Sequence, residues 1–223
     1  MEGELKVCDP VKVDHTKDME SWRILKIMGE LVDGFELLKK YKLAATFFGS
    51  ARDTLDPQVY KDAEELAARL AKSGFAVITG GAGGIMEAAN KGAFEAGGQS
   101  VGLNIRLPQE QGSNKYLTEE YSFNYFFTRR VMLSFASEVY IFFPGGFGTL
   151  DEFFEIVTLV QTGKIKRTPI ILYGKDHWEQ FTEVFKDTLL KTEHTINRED
   201  LDLFVICDTP DDAYEKILTL VKC

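Results

Sequence analysis

Glu152 is the residue best placed for chemistry on a bound ligand, because it stands about one helical turn beyond Thr149 in the run Phe143-Pro144-Gly145-Gly146-Phe147-Gly148-Thr149-Leu150-Asp151-Glu152. Val139 to Phe143 reads as a buried strand that Pro144 ends, and the residues from Thr149 onward read as a helix. Gly145, Gly146 and Gly148 let the backbone approach an anion closely, and Thr149 adds a hydroxyl where the helix begins. A carboxylate held so near a phosphate is disfavoured electrostatically, which turns Glu152 toward the sugar or water side of a ligand. The competing reading is a tight strand-to-helix turn whose first-turn acid merely suits the helix dipole.

A second glycine cluster, Thr79-Gly80-Gly81-Ala82-Gly83-Gly84-Ile85-Met86, again lies between an apolar strand (Phe75 to Thr79) and a helix (Ile85 to Ala96). Two such loops at the carboxyl ends of parallel strands can meet over one phosphate. No Gly-x-x-x-x-Gly-Lys-Ser/Thr occurs, so the lysine and magnesium-binding hydroxyl of a nucleoside triphosphatase are missing. The dinucleotide fingerprint is also incomplete, since Met86 stands where the third glycine of Gly81-Ala82-Gly83 would fall.

On these residues the chain resembles the LOG family of cytokinin riboside 5′-monophosphate phosphoribohydrolases. The family pattern Pro-Gly-Gly-x-Gly-Thr-x-x-Glu is complete from Pro144 to Glu152, and its Arg-Lys pair corresponds to Arg129-Arg130, with arginine in place of lysine. Phe48-Gly49-Ser50, the glycine cluster with Met86, and Leu107-Pro108-Gln109-Glu110 are also similar, and the resemblance spans about residues 43 to 220. It implies hydrolysis of the N-glycosidic bond of a nucleoside 5′-monophosphate, such as AMP or an N6-modified AMP, to free base and ribose 5-phosphate with no metal or organic cofactor. It also implies Arg129 and Glu152 as the catalytic pair.

The chemistry of these side chains agrees with that implication. Departure of the base leaves an oxocarbenium-like ribosyl centre, which a carboxylate at 152 can stabilise while orienting or deprotonating water. Arg129 is permanently charged, so it is expected to clamp phosphate or ribose oxygens and to fix Glu152 through a bidentate pair. Arg130 keeps the charge of the family's lysine but changes its donor geometry. Gly80, Gly81, Gly83, Gly84, Met86, Gly145, Gly146, Phe147, Gly148 and Thr149 complete the expected substrate and phosphate contacts, with Ser50, Glu87, Glu110 and Thr158 as weaker candidates, Ser50 reading equally as an ordinary loop residue. Glu110 reads equally as a substrate contact and as part of a solvated turn, and Glu87 as a ribose or base contact or as a helix-start acid that needs no function. Phe147, Tyr125 and Phe127 offer stacking surfaces for a base without specifying which base. The alternative is a non-catalytic nucleotide or cofactor carrier of the same superfamily. Decarboxylation through pyridoxal phosphate would need a recognisable cofactor lysine, and none stands out.

The net charge of −9 argues against a nucleic acid polymer as partner, because such binding neutralises many phosphates. Cys8, Cys207 and Cys223 are odd in number and far apart, and His15, His177 and His194 lack ligand spacing, so no disulfide framework or metal site is indicated. Neither a membrane span nor a leader is visible, and a cytoplasmic setting is expected.

The elements that must position these residues alternate between strands and helices. The expected fold is a Rossmann-like, doubly wound parallel α/β sheet with helices on both faces, in a catalytic domain over 43–223. Residues 1–42 form an N-terminal extension whose amphipathic helix, Asp18 to Tyr41, carries Trp22, Leu25, Met28, Val32, Phe35 and Leu38 at helical spacing. Further helices are expected over 57–72, 128–137, 149–163, 178–190 and 210–221, with strands at 43–48, 100–105, 169–173 and 203–207. Arg106 to Glu120 reads as a long loop bordering the site, and Tyr121 to Phe126 is ambiguous between strand and loop. Apolar residues on the helices flanking the motif, Phe126, Phe127 and Phe135 with Phe153, Phe154, Val157 and Val160, point to a homodimer or higher homo-oligomer, in accord with the resemblance, or else to ordinary burial.

Overall fold

The central strands are buried throughout, and successive side chains enter two different apolar cores. The computed structural model describes residues 21–52, 56–106 and 112–221. In β1 (Ala44–Phe48), Ala44 and Phe48 enter one apolar core while Ala45 and Phe47 enter another. In β5 (Val139–Phe142), Tyr140 and Phe142 face the first core and Val139 and Ile141 the second. A strand buried on both faces needs helices on both faces. One layer is α1 (Ser21–Leu38), α4 (Phe126–Ser134), α5 (Phe147–Gln161) and α6 (Lys175–Val184); the other is α2 (Pro57–Lys72), α3 (Ile85–Glu95) and α7 (Pro210–Leu220).

With β2 (Ala76–Thr79), β3 (Ser100–Ile105), β4 (Glu119–Phe123), β6 (Ile170–Tyr173) and β7 (Phe204–Cys207), the strands form one parallel sheet in the order β4-β3-β2-β1-β5-β6-β7. This is the expected Rossmann-like doubly wound fold. The chain order reverses between β1 and β5, which pair from Ala45 with Val139 to Phe48 with Phe142. A crevice opens beyond the carboxyl ends of strands at such a switch point, and both glycine loops leave the sheet on that side.

Some local features depart from the sequence expectation. The aromatic segment is a parallel edge strand, β4, which begins at Glu119 inside the expected loop because Glu119 to Phe123 pair with Val101 to Ile105. The helix expected to run to Leu190 changes after Val184 into a π-helical stretch, Phe185–Thr192, and a 3-10 turn at Arg198–Asp202 is held by a capping box from Asn197. The α1 stripe of Trp22, Leu25, Met28, Val32 and Phe35 faces outward. Its inward face carries Glu30, Gly34, Leu37 and Leu38, and Gly34 allows close packing on α4: a Cβ there would lie 2.5 Å from Met132 Sδ. Among the described residues no helix is long and apolar enough to cross a membrane.

Phe153 joins the site-bearing helix α5 to the core. It is 1% exposed and packs against Phe142, Trp178, Phe185 and Phe204 with ring centroids 5.2 to 6.2 Å away. Phe153→Ala is expected to cost about 3–5 kcal/mol of unfolding free energy in urea titrations.

Candidate functional site

Two neighbouring cavities open over the switch point. The larger, about 760 Å³, is lined by Phe48 to Arg52, Met86, Arg129, Pro144 to Thr149, Glu152 and His177. The second, about 460 Å³, is lined by Gly80, Gly81 and Ala82 together with Asn104, Arg106, Ser113 and Ser122. Ala51, Met86 and Arg129 line both, so the arginine stands on the partition between them.

Local sequence explains why this end of the sheet is open to a ligand. Among the helices that begin at this end, α2 and α7 have side-chain caps, Asp56 accepting from the Gln58 amide at 2.8 Å and Thr209 from the Asp212 amide at 3.2 Å. α3 and α5 begin at Gly84 and Gly146 with no side-chain cap; the Ile85 amide of α3 donates to the Ser50 carbonyl at 3.0 Å, and the first turn of α5 is left for another acceptor. Gly145 is required by a close approach, since a Cβ there would collide with the Thr149 hydroxyl. The loop after β1 is fastened to the motif by the Ser50 amide donating to the Pro144 carbonyl at 3.1 Å.

The second glycine loop is held from behind. The Gly81 amide donates to Thr79 Oγ1 at 2.9 Å, Thr79 Oγ1 donates to Asn90 Oδ1 at 2.6 Å, and Asn114 Nδ2 reaches the Gly81 and Ala82 carbonyls at 3.2 and 3.1 Å. This network braces the cradle through hydrogen bonds within the chain.

Arg129 and Glu152 meet at the larger cavity. Their closest approach is 3.7 Å, Nη1 to Oε1, and the side chains are only 11% and 17% exposed. The expected bidentate pair is not formed. Arg129 commits its Nε to the Leu103 carbonyl at 2.6 Å, which turns the guanidinium across the cavity wall instead of squarely onto the carboxylate. Gly80 makes room for it, because a Cβ at 80 would collide with Nη2. Burial pushes the Glu152 carboxyl up to about 7; Arg129 and, more weakly, Arg130 pull against that rise, while Asp151 and Glu155 add to it. The site thus holds a carboxyl poised between its two protonation states near neutral pH.

Of the residues expected from sequence, Ser50, Gly80, Gly81, Met86, Arg129, Gly145, Gly146, Phe147, Gly148, Thr149 and Glu152 line the two cavities. Gly83 and Gly84 form the turn behind them. Glu87 and Thr158 are not among the lining residues: Glu87 is turned about 100° around α3 from Met86, and Thr158 is exposed more than two turns along α5. Arg130 is turned away from Arg129 on α4 and is taken up by Asp151 at 2.6 Å. Glu110 lies outside the described residues. Sequence reasoning missed His177, whose position just past the carboxyl end of β6 was the available signal. Its Nε2 is buried without a hydrogen-bond partner, its ring lies 5.1 Å from Trp178 and 5.3 Å from Phe181, and burial lowers its pKa.

Comparison with known proteins gives a family for this arrangement. The family described as "Possible lysine decarboxylase" matches residues 86–217. A protein of Arabidopsis thaliana named cytokinin riboside 5′-monophosphate phosphoribohydrolase is 28% identical over 156 residues, 68% of this chain and 67% of that one. A protein of Oryza sativa subsp. japonica named "Probable cytokinin riboside 5′-monophosphate phosphoribohydrolase" is 24% identical over 210 residues, 90% of this chain and 80% of that one. Among solved structures, the molybdenum cofactor binding protein of Rippkaea orientalis shares the fold, with a TM-score of 0.62 at 20% identity over 81% of this chain and 99% of that one.

The geometry makes the Glu152 carboxyl sensitive to where Arg129 sits. Gly80→Ala is expected to dislodge the guanidinium, to cost about 1–3 kcal/mol of stability by overpacking, and to raise the Glu152 titration midpoint above about 7 as followed by carboxyl ¹³C NMR.

Proposed function

The chain belongs to the LOG family, matched under the description "Possible lysine decarboxylase", and from that premise we propose that it hydrolyses the N-glycosidic bond of a nucleoside 5′-monophosphate. The observation that carries this reading is the mostly buried Glu152, 3.7 Å from Arg129 in a cavity walled by the Gly145-Gly146-Phe147-Gly148-Thr149 turn. AMP or an N6-modified AMP is the proposed substrate class. Its phosphate would lie on the uncapped start of α5 and the Thr149 hydroxyl, its ribose between Arg129 and Glu152, and its base against Met86 or the exposed ring of Phe147.

In the proposed reaction the bond from C1′ to the base nitrogen breaks, and its electron pair leaves with the base, which takes up a proton from solvent, balanced by the one that Glu152 afterwards returns to solvent. The water oxygen bonds to C1′, and the proton released from that water goes to the Glu152 carboxylate. Arg129, charged throughout, holds the ribose or phosphate oxygens and opposes protonation of Glu152. The ionised carboxylate also faces the developing positive charge at C1′, which strengthens its interaction in the transition state relative to the ground state.

Self-association is part of the proposal. Leu25, Met28, Val32 and Phe35 present a continuous helical stripe to solvent, and Phe35 meets the exposed Phe135 with ring centroids 6.1 Å apart. Phe126, Phe127 and Phe154 are exposed as well. A second copy of the chain is the proposed cover, and Val32→Asp is expected to shift the mass measured by light scattering toward the monomer.

The activity is tested by incubating purified protein with AMP and N6-isopentenyl-AMP and following free base and ribose 5-phosphate. Glu152→Gln is expected to keep nucleotide binding and to lower turnover about 10²–10⁴-fold, whereas Arg129→Ala weakens both. Because the reaction needs the ionised carboxylate, kcat should rise with pH through about 7 and fall about tenfold per pH unit below it. Base release that is unchanged in Glu152→Gln would overturn the assignment, and tight binding without release by the wild type would make the protein a nucleotide carrier.

A further inference from the structure

Glu30, on α1, is a carboxylate only 4% exposed, and no step of the proposed chemistry uses it. Its Oε1 accepts hydrogen bonds from the Asn124 backbone amide at 2.6 Å and from Asn124 Nδ2 at 2.7 Å, and its Oε2 accepts one from Thr128 Oγ1 at 2.6 Å. Those donors surround the start of α4, a helix whose own N-cap residue, Tyr125, provides no side-chain cap. A carboxylate at a helix start suits the positive end of the helix dipole, and Glu30 holds the residue before the N-cap and a first-turn side chain there. Burial works against the charge of Glu30, yet the hydrogen bonds from Thr128, Asn124 and the Tyr125 backbone outweigh it and hold its pKa below the usual carboxylate value. One turn along α1, the bare backbone of Gly34 lies against Met132 and keeps the two helices at close range.

Arg129 follows Thr128 directly, and its backbone amide donates to the Tyr125 carbonyl at 3.2 Å, within the turn that Glu30 secures. We propose that Glu30 is a positioning residue that fastens the start of α4 from a different helix and thereby fixes the Arg129 guanidinium against the Leu103 carbonyl and Glu152. The N-terminal helix is then part of the site's support. The link to turnover rests on the phosphoribohydrolase reading; the link to the position of Arg129 does not.

The test compares wild type, Glu30→Ala, Glu30→Gln and Thr128→Val in the full chain, with Asp33→Asn as control for a different α1 contact, the 3.0 Å hydrogen bond from Tyr121. Two readouts need no activity: amide hydrogen exchange of residues 126–130, and the Glu152 titration by carboxyl ¹³C NMR. The charges acting on Glu152 are Arg129, Asp151, Glu155 and Arg130, and only Arg129 follows the fastened turn directly while lowering the carboxyl's pKa most. A loosened Arg129 therefore predicts exchange about tenfold faster in the first turn of α4 and a Glu152 midpoint raised by about half a pH unit, with kcat falling together with these changes. Asp33→Asn should change neither. A general loss of stability would lower the unfolding midpoint without moving the Glu152 titration. Should Glu30→Ala fail to fold, Glu30→Gln and Thr128→Val decide. Folded variants with wild-type exchange and a wild-type Glu152 midpoint overturn the proposal, whereas a wild type that releases no base sinks the hydrolase reading and leaves these two readouts intact.

Discussion

Two opposite charges taken largely out of water, the guanidinium of Arg129 and the carboxylate of Glu152, set the demands that the surrounding structure must meet. Burial alone would discharge the acid, and proximity alone would keep it fully ionised. At 3.7 Å, with Arg129 tied to the Leu103 carbonyl instead of closing a fork on Glu152, neither tendency wins, and the carboxyl is pushed only to about 7. A tighter bidentate pair would lower that value and occupy the donors that an incoming oxyanion needs. The looseness of the pair is thus what leaves both partners available to a ligand.

Holding such a pair loosely requires that everything around it be held tightly. The two residues come from α4 and α5, which flank β5 at the sheet's switch point, and the room for the guanidinium comes from a third element, the missing side chain of Gly80 after β2. That glycine loop is braced by Thr79, Asn90 and Asn114, the motif turn is pinned to the loop after β1 by Ser50, and α5 is anchored by Phe153 among four aromatic rings. All these helices start at the same end of the sheet, but α2 and α7 carry side-chain caps while α5 starts at Gly146 without one, so its first turn is where an anion can find amides.

Much of this was legible in the sequence, and the legible part has a common physical character. A glycine turn between an apolar strand and a helix is a local signal, and so were both glycine loops, the parallel α/β alternation, and Thr149 and Glu152. Arg129 came through the family pattern. What stayed hidden is non-local. The α1 stripe has the spacing of a core-facing helix, yet the inward face is set by Gly34 and Glu30, residues that read as poor core formers until Met132 and the start of α4 are seen against them. Arg130 stands beside Arg129 in the chain, but a helix turns successive side chains about 100° apart, and Asp151 claims it. His177 looked like an isolated histidine because only the sheet order brings the end of β6 next to that of β5.

The same reasoning bears on why a buried acid is tolerated in α1 at all. An unpaired carboxylate at a helix–helix contact would be costly, and an apolar residue at position 30 would pack against α4 without that cost. Such a residue would leave the Asn124 amide and the Thr128 hydroxyl with no acceptor from α1 at the entrance to the helix that carries Arg129. With three donors converging on it, Glu30 is satisfied where it lies, and its hydrogen bonds specify the rotation and depth of α4 more sharply than apolar packing would. The loose contact between Arg129 and Glu152 can then be set by the backbone that carries the arginine, not by the strength of the ion pair itself.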